Sequence, residues 1–309
     1  MKARPSTATL SRSGSALIVV FWMIAVLGMV LFASTKLLHS DTSAARVNRD
    51  RMFAKRYAEM GLEVGRHPAI ELYDPLLSYS SENGGSYHVQ ITTEEARFNV
   101  NSLLLNSDRA ILTRIFTSWN FKPEFTSKLV DALKDWVDAD DLTSLNGAEK
   151  REYENMGLDG VPFNRPFKTL DEMLLVRGME VVNATHPGWR EWFTVYGDGR
   201  LDVNESRPDF ISVLAAVPME RMTALLTLRN GRDGAHHTLD DGKLTSAVQV
   251  AQLLGVSQPK IIAELQQWTQ FAGPIRRIES TGTYNTMTRK IVLITQNNQT
   301  LWRGEMPGL

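Results

Sequence analysis

The sequence predicts an α+β fold in which a long N-terminal helix packs on a small antiparallel β-sheet, and a large all-α domain is inserted between the strands of that sheet. Three observations support this prediction. The chain opens on an uncharged apolar run, strand-like alternation occurs near residue 90 and again near residue 290, and the segment between these strands has helical periodicity. Two consecutive domains would give a run of strands and a run of helices without the return to strands.

Composition and charge exclude several classes of protein. The chain has 309 residues, a net charge of −1 and no cysteine. A hydrophobic content of 43% is that of a globular protein, which excludes wholesale disorder. The balanced charge argues against a general nucleic-acid binder, and the absence of cysteine excludes disulfides, thiolate metal sites and cysteine nucleophiles.

The first element is a membrane-spanning helix, predicted by the apolar run ALIVVFWMIAVLGMVLFA over residues 16–33. About 20 apolar residues span a bilayer core of roughly 30 Å, whereas a secretory signal peptide has a core of about 7–15. Lys2, Arg4 and Arg12 give the preceding leader a charge of +3, which holds that end in the cytoplasm. The remaining chain, with a net charge of −4, is expected on the other side of the membrane.

This helix is expected to continue beyond the membrane as a stalk. No proline occurs between residues 36 and 63, and Gly65 and Pro68 supply the stop. A helix over residues 16–65 would be about 75 Å long. Its predicted apolar face is formed by Phe53, Tyr57, Met60 and Val64. A membrane helix followed by a separate short helix is the alternative.

Strands are predicted on both sides of the helical middle. Residues 86–92 alternate apolar and polar side chains, and 98–100 resume the alternation after Glu94–Glu95, which together predict a β-hairpin. The alternation returns at 277–284 and 290–295, and a turn at Asn297–Asn298 leads to a last strand at 300–303.

The middle of the chain is predicted to be helical. Several segments begin with a capping residue or with a proline in the first turn. The predicted helices cover residues 107–118, 123–137, 169–176, 208–216, 220–229, 246–254 and 259–270. The helix at 169–176 is expected to be capped by Thr169 and ended by Gly178.

A faint internal repeat relates RFNVNS at residues 97–102 to RLDVNE at 200–205. The second copy resembles the start of a helix-hairpin-helix module, in which an asparagine can cap the next helix. Such modules bind DNA through a glycine-rich hairpin whose N–H groups meet phosphate. The corresponding residues 216–219 read AVPM, without glycine and with Pro218, which lacks the N–H donor. A packing role is therefore favoured over DNA binding.

An acidic loop after the helix at 123–137 is the best candidate metal site. With Asp138 as position 1, Asp140 is position 3 and Glu149 is position 12, the outer ligand positions of an EF-hand. Thr143 stands where an EF-hand needs glycine, so this is not an EF-hand. The loop, including Asp141, is still a dense group of the hard oxygen ligands that calcium prefers. The alternative is a solvated acidic loop that caps nearby helices.

Other polar groups carry weaker predictions. The acidic groups near residues 198–205 and 233–241 could donate to a second site, although such loops are usually turns. The adjacent His236 and His237 would point in opposite directions in an extended loop, which predicts a solvated pair. Paired carboxylates can serve acid–base catalysis, but no substrate motif accompanies them, so no enzyme is predicted.

The start of the apolar run resembles a known processing site. The basic leader ends in Gly14, and the apolar run follows at once from Ser15. This junction resembles that of type IV pilins and pseudopilins, in which an inner-membrane prepilin peptidase cuts after the glycine and methylates the new N-terminus. Most members carry glutamate at the fifth mature position, which is Val19 here.

Four later motifs extend the resemblance over nearly the whole chain after Gly14. They are DWVDADD at residues 135–141, NGAEKREY at 146–153, RPFKTLDEMLLVRGM at 165–179 and LDVNES at 201–206. With the missing glutamate, they resemble the K-type minor pseudopilins of the type II secretion system, the general secretion pathway protein K family.

The resemblance implies a structural assembly protein with a single span in the cell inner membrane and most of its chain in the periplasm. Its partners would be the I-type and J-type minor pseudopilins at the pseudopilus tip, other pseudopilus subunits and the inner-membrane platform, and not nucleic acid. It would help to initiate and cap the pseudopilus, which exports folded periplasmic proteins across the outer membrane. A missing glutamate fits a first subunit.

The resemblance also implies bound calcium in the α-domain, with Asp138, Asp140, Asp141 and Glu149 as the expected ligands. It implies a pilin-type sheet and a helix-hairpin-helix or SAM-like α-domain. The expected domains are a leader at 1–14, the transmembrane and stalk helix at 15–66, the two parts of the β-domain at 67–102 and 275–309, and the inserted α-domain at 103–274. The alternatives are an anchored helix-hairpin-helix DNA-binding protein of the competence type and a single-pass periplasmic hydrolase.

Overall fold

A computed structural model describes residues 13–106 and 109–307 of the chain. Most of the predicted leader and the cap predicted at residues 107–108 lie outside the described residues. The described residues form the helices α1 (Ser13–Arg66), α2 (Val100–Leu105), α3 (Arg109–Ser118), α4 (Pro123–Val137), α5 (Lys150–Asn155), α6 (Met179–Thr185), α7 (Pro208–Leu214), α8 (Thr223–Arg229), α9 (Ala247–Leu253) and α10 (Pro259–Trp268). Short 3-10 helices occur at Pro75–Leu77, Glu94–Ala96, Leu170–Leu175, Pro187–Glu191 and Met219–Met222.

The strands are β1 (Ser78–Ser80), β2 (Gly85–Thr93), β3 (Phe98–Asn99), β4 (Phe193–Thr194), β5 (Leu201–Asp202), β6 (Thr269–Gln270), β7 (Arg276–Tyr284), β8 (Met287–Gln296) and β9 (Gln299–Pro307). Five of them form an antiparallel sheet in the order β1-β2-β7-β8-β9. The others are two-residue strands that pair in parallel, β3 with β4 and β5 with β6. The mixed fold, with an N-terminal helix and an antiparallel sheet, agrees with the sequence prediction.

Helix α1 is one continuous helix of 54 residues, about 80 Å long. The predicted alternative of two separate helices is therefore wrong. The helix ends at Arg66, next to the Gly65 and Pro68 that the sequence gives as stop signals. Because no break interrupts the helix, the apolar run and the stalk form a single rod.

The apolar run is exposed to the surroundings along its length. Within the described residues, Leu17–Ser34 is long and apolar enough to cross a membrane, and none of it is buried in the protein. The bent helix pair Pro208–Leu214 and Met219–Arg229 is also long and apolar enough when its two helices are taken together. However, its residues Ile211 and Leu225 are fully buried among other helices. That pair is therefore part of a protein core, and the chain fits a protein anchored by a single span.

The C-terminal half of α1 packs on the sheet through small residues. Ala54, Ala58 and Leu62 are buried against the sheet, whereas Met60, which the sequence places on the apolar face, is 51% exposed. Gly282 of β7 lies so close to α1 that a Cβ there would overlap the backbone of Ala54 and Ala58. The predicted face is therefore offset, because a close helix–sheet approach selects small side chains over large ones.

The predicted hairpin between residues 86–92 and 98–100 is wrong. Strand β2 has β1 on one edge and β7 on the other, so neither edge remains for a further strand. The 3-10 helix Glu94–Ala96 turns the chain away from the sheet, and Phe98–Asn99 pairs with Phe193–Thr194 instead. The predicted strands after residue 275 and the turn at Asn297–Asn298, where both residues have positive φ, are confirmed.

Residues 94–275 form a helical block that leaves the sheet after β2 and returns to it at β7. The block has its own hydrophobic core, which is separate from the core between α1 and the sheet. Among its largest fully buried side chains are Trp136, Trp189, Phe116 and Phe193. The chain therefore has two hydrophobic cores, which are connected where the helical block joins β2 and β7.

The internal repeat in the sequence corresponds to a repeat in the structure. Asn101 accepts a hydrogen bond from Phe167 N (2.8 Å) and donates one to Phe167 O (2.9 Å). Asn204 accepts from Leu244 N (2.9 Å) and donates to Leu244 O (3.0 Å) in the same way. Asn204 does not cap the following helix, because α7 begins only at Pro208. Each asparagine instead holds the backbone of a distant segment.

The predicted helices are largely confirmed, and α4 has the predicted bounds. The segment at 169–176 is a 3-10 helix, and the Thr169 side chain does not cap it. The Glu172 carboxylate accepts a hydrogen bond from Lys168 N, just before the helix begins. Gly178, with φ of 97°, leads into α6 rather than into a loop. The helices α2, α5 and α6 are not predicted from the sequence, because each has only six or seven residues.

A short neck joins the two cores, formed by residues 93–95 and 275–277. Thr93 of β2 is paired with Arg276 of β7, and the next residue, Glu94, donates its N–H to Ile275 O (2.8 Å). Arg277 binds the buried Glu94 carboxylate at 3.1 Å. Glu95 is also buried, and burial, followed by the nearby Asp202 and Asp198 charges, raises its pKa to about 7.

The close approach at Gly282 gives a first prediction. We expect Gly282→Ala to destabilise the protein by about 2–3 kcal/mol, because the new methyl group meets helix backbone that cannot move independently. Thermal unfolding of the full chain in detergent measures the change. Gly188→Ala is the matched control, since a Cβ there meets nothing within 4 Å and the change should stay within about 0.5 kcal/mol. Equal melting temperatures for the two variants would contradict the proposed helix–sheet contact.

Glu95 gives a prediction for pH dependence. Its pKa is about 7 in the folded state and near 4.5 without burial, so between these values only the unfolded state releases the proton. Stability should therefore fall as pH rises from about 4.5 to 7, by about 3 kcal/mol in total. Glu95→Gln should remove this part of the pH dependence in urea unfolding. Replacing the exposed Glu82 by Gln should leave it unchanged, and the same slope in all three proteins would refute the assignment.

Candidate metal centre

The acidic loop is tied to the last turns of α4. Asp131 accepts a hydrogen bond from Asn146 N (3.2 Å), and Asp135 accepts one from Ser144 N (3.0 Å) through Oδ2. Arg109 pairs with the other Asp131 oxygen at 2.7 Å. Two buried carboxylates of α4 thus hold the second half of the loop, at Ser144 and Asn146, against the helix.

Gly147 allows the loop to come this close. A Cβ at this position would overlap the Asp135 carboxylate. Arg177 closes the loop from the other side, donating to the carbonyl oxygens of Asn146 (2.7 Å) and Gly147 (2.6 Å). The loop then enters α5 at Glu149, whose N–H donates a hydrogen bond to the Glu152 carboxylate (3.0 Å).

Several buried oxygens in this region have no hydrogen-bond partner among the described residues. They are Asp135 Oδ1, Asp138 Oδ1, both carboxylate oxygens of Glu149, and Asn164 Oδ1. Leaving a buried polar group unsatisfied costs about 1–3 kcal/mol, and more for a charged group. We call these four residues the acidic cluster; an ion that accepts oxygen ligands would relieve the cost.

The charges of the cluster also oppose one another. Burial, followed by the charges of Asp135 and Asp138, raises the pKa of Glu149 to about 7; Asp141 and Asp140 contribute less. Burial, followed by the charges of Asp135 and Asp140, raises the pKa of Asp138. Carboxylates that share a site ionise together only with a compensating positive charge.

The structure divides the four predicted ligands. Asp138 and Glu149 lie in the acidic cluster, whereas Asp140 and Asp141 are exposed. Asp140 Oδ1 accepts a hydrogen bond from Leu142 N (2.9 Å), and Asp141 Oδ1 accepts one from Asn164 (3.0 Å). Asp135 and Asn164 are not among the ligands expected from the sequence. Asp135 could have been found, because it lies three residues before Asp138, on the same helix face.

The donor set of the acidic cluster fits calcium. All of its unpartnered atoms are carboxylate or amide oxygens, which Ca²⁺ binds at about 2.3–2.6 Å in flexible geometry. Opposite ligands of such an ion are about 5 Å apart, so a calcium site is wider than a zinc site. When bound, the ion would supply positive charge and would join the end of α4, through Asp135 and Asp138, to the start of α5, at Glu149.

The weaker acidic groups lie in turns. Asp198 pairs with Arg200 at 2.6 Å, Asp233 accepts a hydrogen bond from Ala235 N, and Asp240 accepts one from Arg232 N. These local hydrogen bonds agree with the prediction that such loops are turns.

A second cluster contains both adjacent histidines. The possible ligand atoms of Glu205, His236 and His237 all lie within 4.8 Å of one another, and His237 Nε2 is 2.9 Å from Glu205 Oε2. Within the described part of the chain, no other group of three or more histidine and carboxylate side chains is as tight. The two rings lie on the same side of the loop, so the predicted opposite orientation is wrong. Burial and the nearby His237 and Arg229 lower the pKa of His236 to about 4.

Comparisons with known proteins agree on one family. A family model described as type II secretion system protein K matches residues 96–185, which include the whole acidic cluster. A type II secretion system protein K of Klebsiella pneumoniae is 30% identical over 146 residues, which are 44% of each chain. The protein of the same name from Pseudomonas aeruginosa is 27% identical over 191 residues, which are 54% of this chain and 57% of that one. The matches thus span about half the length of these relatives.

A solved structure has the same fold. A chain of the GspK–GspI–GspJ complex from the type II secretion system of enterotoxigenic Escherichia coli matches with a TM-score of 0.62 and 15% identity. The match covers 87% of this chain and all of that one. The family model and the two relatives therefore agree with the resemblance of the sequence to the type II secretion system protein K family.

Proposed function

We propose that this chain is a minor pseudopilin of the type II secretion system, located at the tip of the pseudopilus, where it helps to initiate and cap the fibre. The observation that carries the proposal is the continuity of α1. Its N-terminal half is an exposed apolar span, and its C-terminal half is part of the core of the sheet. A membrane-inserted rod with a folded head suits a subunit that is assembled from the membrane into a fibre.

Two further features support the tip position. The helical block of residues 94–275 adds a bulky head beside the sheet, which suits a subunit on which no other subunit stacks. Val19 replaces the glutamate that most pseudopilins carry at the fifth mature position, which suits a first subunit with no preceding N-terminal amine to neutralise. In this proposal the span lies in the inner membrane and the head in the periplasm.

The partners in this proposal are the I-type and J-type minor pseudopilins. Their support is the similarity of the fold to a chain of a GspK–GspI–GspJ complex. The proposed role is structural. The chain would contribute to the export of other proteins by assembling into the pseudopilus and not by catalysing a reaction. Contacts with other pseudopilus subunits and with the inner-membrane platform would follow from insertion of α1 into the fibre.

The alternative of DNA binding is disfavoured by the hairpin after α7. Ala216 and Val217 donate their N–H groups to Val213 O (3.3 Å) and Ser212 O (3.0 Å), and Pro218 has none. A helix-hairpin-helix module needs such groups free to meet phosphate. The hairpin therefore lacks the donors on which this alternative depends.

We further propose that the acidic cluster binds a structural calcium ion. Asp135, Asp138, Glu149 and Asn164 supply the unpartnered buried oxygens, and Asp141 lies beside them. The chain has no cysteine, so no disulfide can stabilise the helical block. An ion that binds only the folded state would stabilise it in place of a disulfide.

Processing by a prepilin peptidase tests the membrane part of the proposal. Co-expression with the peptidase should release the first 14 residues and leave Ser15 as a methylated N-terminus, as read by mass spectrometry. Gly14→Val should block the cleavage. Gly28→Val is the matched control within the apolar run, where a side chain meets open space, and it should be processed normally. An intact leader in every sample would contradict the proposal.

Co-purification tests the partners. The full chain, expressed with I-type and J-type pseudopilins of the same system and extracted in detergent, should elute with both in one complex on size-exclusion chromatography. The physical reason is that the apolar half of α1 is exposed and would pack side by side with the N-terminal helices of the partners. If the I-type and J-type proteins elute together and this chain elutes alone, the proposed tip role fails.

Calcium should raise the melting temperature of the full chain after chelation, by about 5 °C at saturating ion. An excess of about 100-fold over the dissociation constant corresponds to about 2.7 kcal/mol. Differential scanning fluorimetry in detergent measures the shift. Asp138→Asn combined with Glu149→Gln should abolish it, because the ion loses two charged ligands. The exposed Asp159→Asn is the matched control and should keep the full shift.

Two further variants distinguish the sequence-based ligand set from the structural one. Asp135→Asn should remove most of the calcium shift, whereas Asp140→Asn should retain most of it, because Asp140 is exposed and already accepts a backbone hydrogen bond. The reverse order would show that the exposed part of the loop, and not the buried cluster, holds the ion.

A further inference from the structure

We propose that Glu205, His236 and His237 form a second metal site, which binds a divalent transition metal ion of the zinc class. We call these residues the histidine cluster. The site would lie in the second half of the structural repeat, whereas the acidic cluster lies in the first. Its ligand set of two imidazoles and one carboxylate is chemically distinct from the all-oxygen set of the acidic cluster.

The distances within the histidine cluster suit a small ion. Zinc binds histidine nitrogen and carboxylate oxygen at about 2.0–2.2 Å, so neighbouring ligands of a tetrahedral ion are about 3.3 Å apart. His237 Nε2 and Glu205 Oε2 are 2.9 Å apart, and the two imidazole rings are 4.0 Å apart between centroids. All the ligand atoms lie within 4.8 Å of one another. Small side-chain adjustments would complete the coordination.

The backbone of the loop brings the two histidines together. Adjacent side chains diverge in an extended strand, but His237 has a φ of +67°, in the left-handed region. Asp241 holds this conformation, because its Oδ2 accepts the His237 N–H at 2.7 Å and its Oδ1 accepts the Thr238 hydroxyl at 3.0 Å. The ring pair is therefore positioned by a specific carboxylate and not by chance contact on a free loop.

The third ligand comes from the rigid part of the helical block. Glu205 follows Asn204, whose amide binds the backbone of Leu244 and the carbonyl of Phe271 (2.9 Å). The Glu205 N–H donates to Asp202 O (3.2 Å). Since Asp202 belongs to β5, the carboxylate approaches the histidine loop from a fixed base.

The cluster is both shielded and reachable. The side chains of His237 and Glu205 are 15% and 11% exposed, so an ion could enter and would then be largely removed from water. Among the described residues, the His236 ring contacts the His237 ring and forms no hydrogen bond through either nitrogen. Its lone pair is therefore available as a ligand.

A plain ion pair between His237 and Glu205 is the competing explanation. Such a pair needs only one histidine and leaves the contact with His236 without a purpose. Three protein ligands around an open fourth position are the arrangement of zinc sites that also bind water or another molecule. Imidazole ligands favour zinc, nickel or copper over calcium, so the two clusters should not compete for one ion.

Isothermal titration of the full chain with Zn²⁺ tests the site. The protein should carry no polyhistidine tag, should be treated with chelator and should then be saturated with Ca²⁺, so that the acidic cluster is filled. We expect one Zn²⁺ per chain, and Co²⁺ at the same site should give the visible absorption of a tetrahedral complex. Zinc binding that calcium displaces, or no zinc binding, would overturn the proposal.

Single substitutions locate the ion. His236→Gln, His237→Gln and Glu205→Gln should each weaken Zn²⁺ binding at least about tenfold. His88→Gln is the matched control, because His88 is an exposed histidine of β2 that lies outside the cluster and bonds the Ser78 hydroxyl, and this variant should bind as the unaltered chain does. Each variant should keep its calcium-induced melting shift, which shows that it is folded. Unchanged zinc affinity in the His236 variant would reduce the cluster to an ion pair and refute the site.

Discussion

The pairing of Thr93 with Arg276 is the constraint on which the rest of the structure depends. Strand β2 lies beside β7, and the whole helical block of residues 94–275 is inserted between them, so its first and last residues must meet at the neck. The hydrogen bond from Glu94 N to Ile275 O and the ion pair of Glu94 with Arg277 close the neck. Because β8 and β9 follow β7, the sheet is completed only when the block has brought its ends together.

This connection lets two cores carry separate tasks. The core between α1 and the sheet joins the head to the apolar span, and it depends on close backbone contact at Gly282 and on small residues such as Ala54 and Ala58. The core of the helical block is larger and richer in aromatic side chains, and both candidate metal clusters belong to this block. A chain built in this way can carry a bulky head without altering its apolar N-terminal helix.

The repeat within the helical block explains why two clusters exist and why they differ. Asn101 and Asn204 occupy equivalent positions, and each holds a distant backbone segment that closes its half of the block. The loop that precedes this segment contains aspartates and Glu149 in the first half, and His236 and His237 in the second. The first half of the block thus presents carboxylate and amide oxygens, and the second presents two imidazoles beside the Glu205 carboxylate.

The amino-acid sequence by itself determined the features that depend on neighbouring residues. The apolar run, the bounds of α4, the alternation of β7 and β8 and the acidic loop all follow from local periodicity and spacing. Only the tertiary structure decided which strand pairs with β2, since β7 is remote in sequence. It also decided which oxygens are buried without partners, since Asn164 reaches Asp140 and Asp141 from another segment. It also decided the orientation of His237, because a positive φ held by Asp241 leaves no signal in residue spacing.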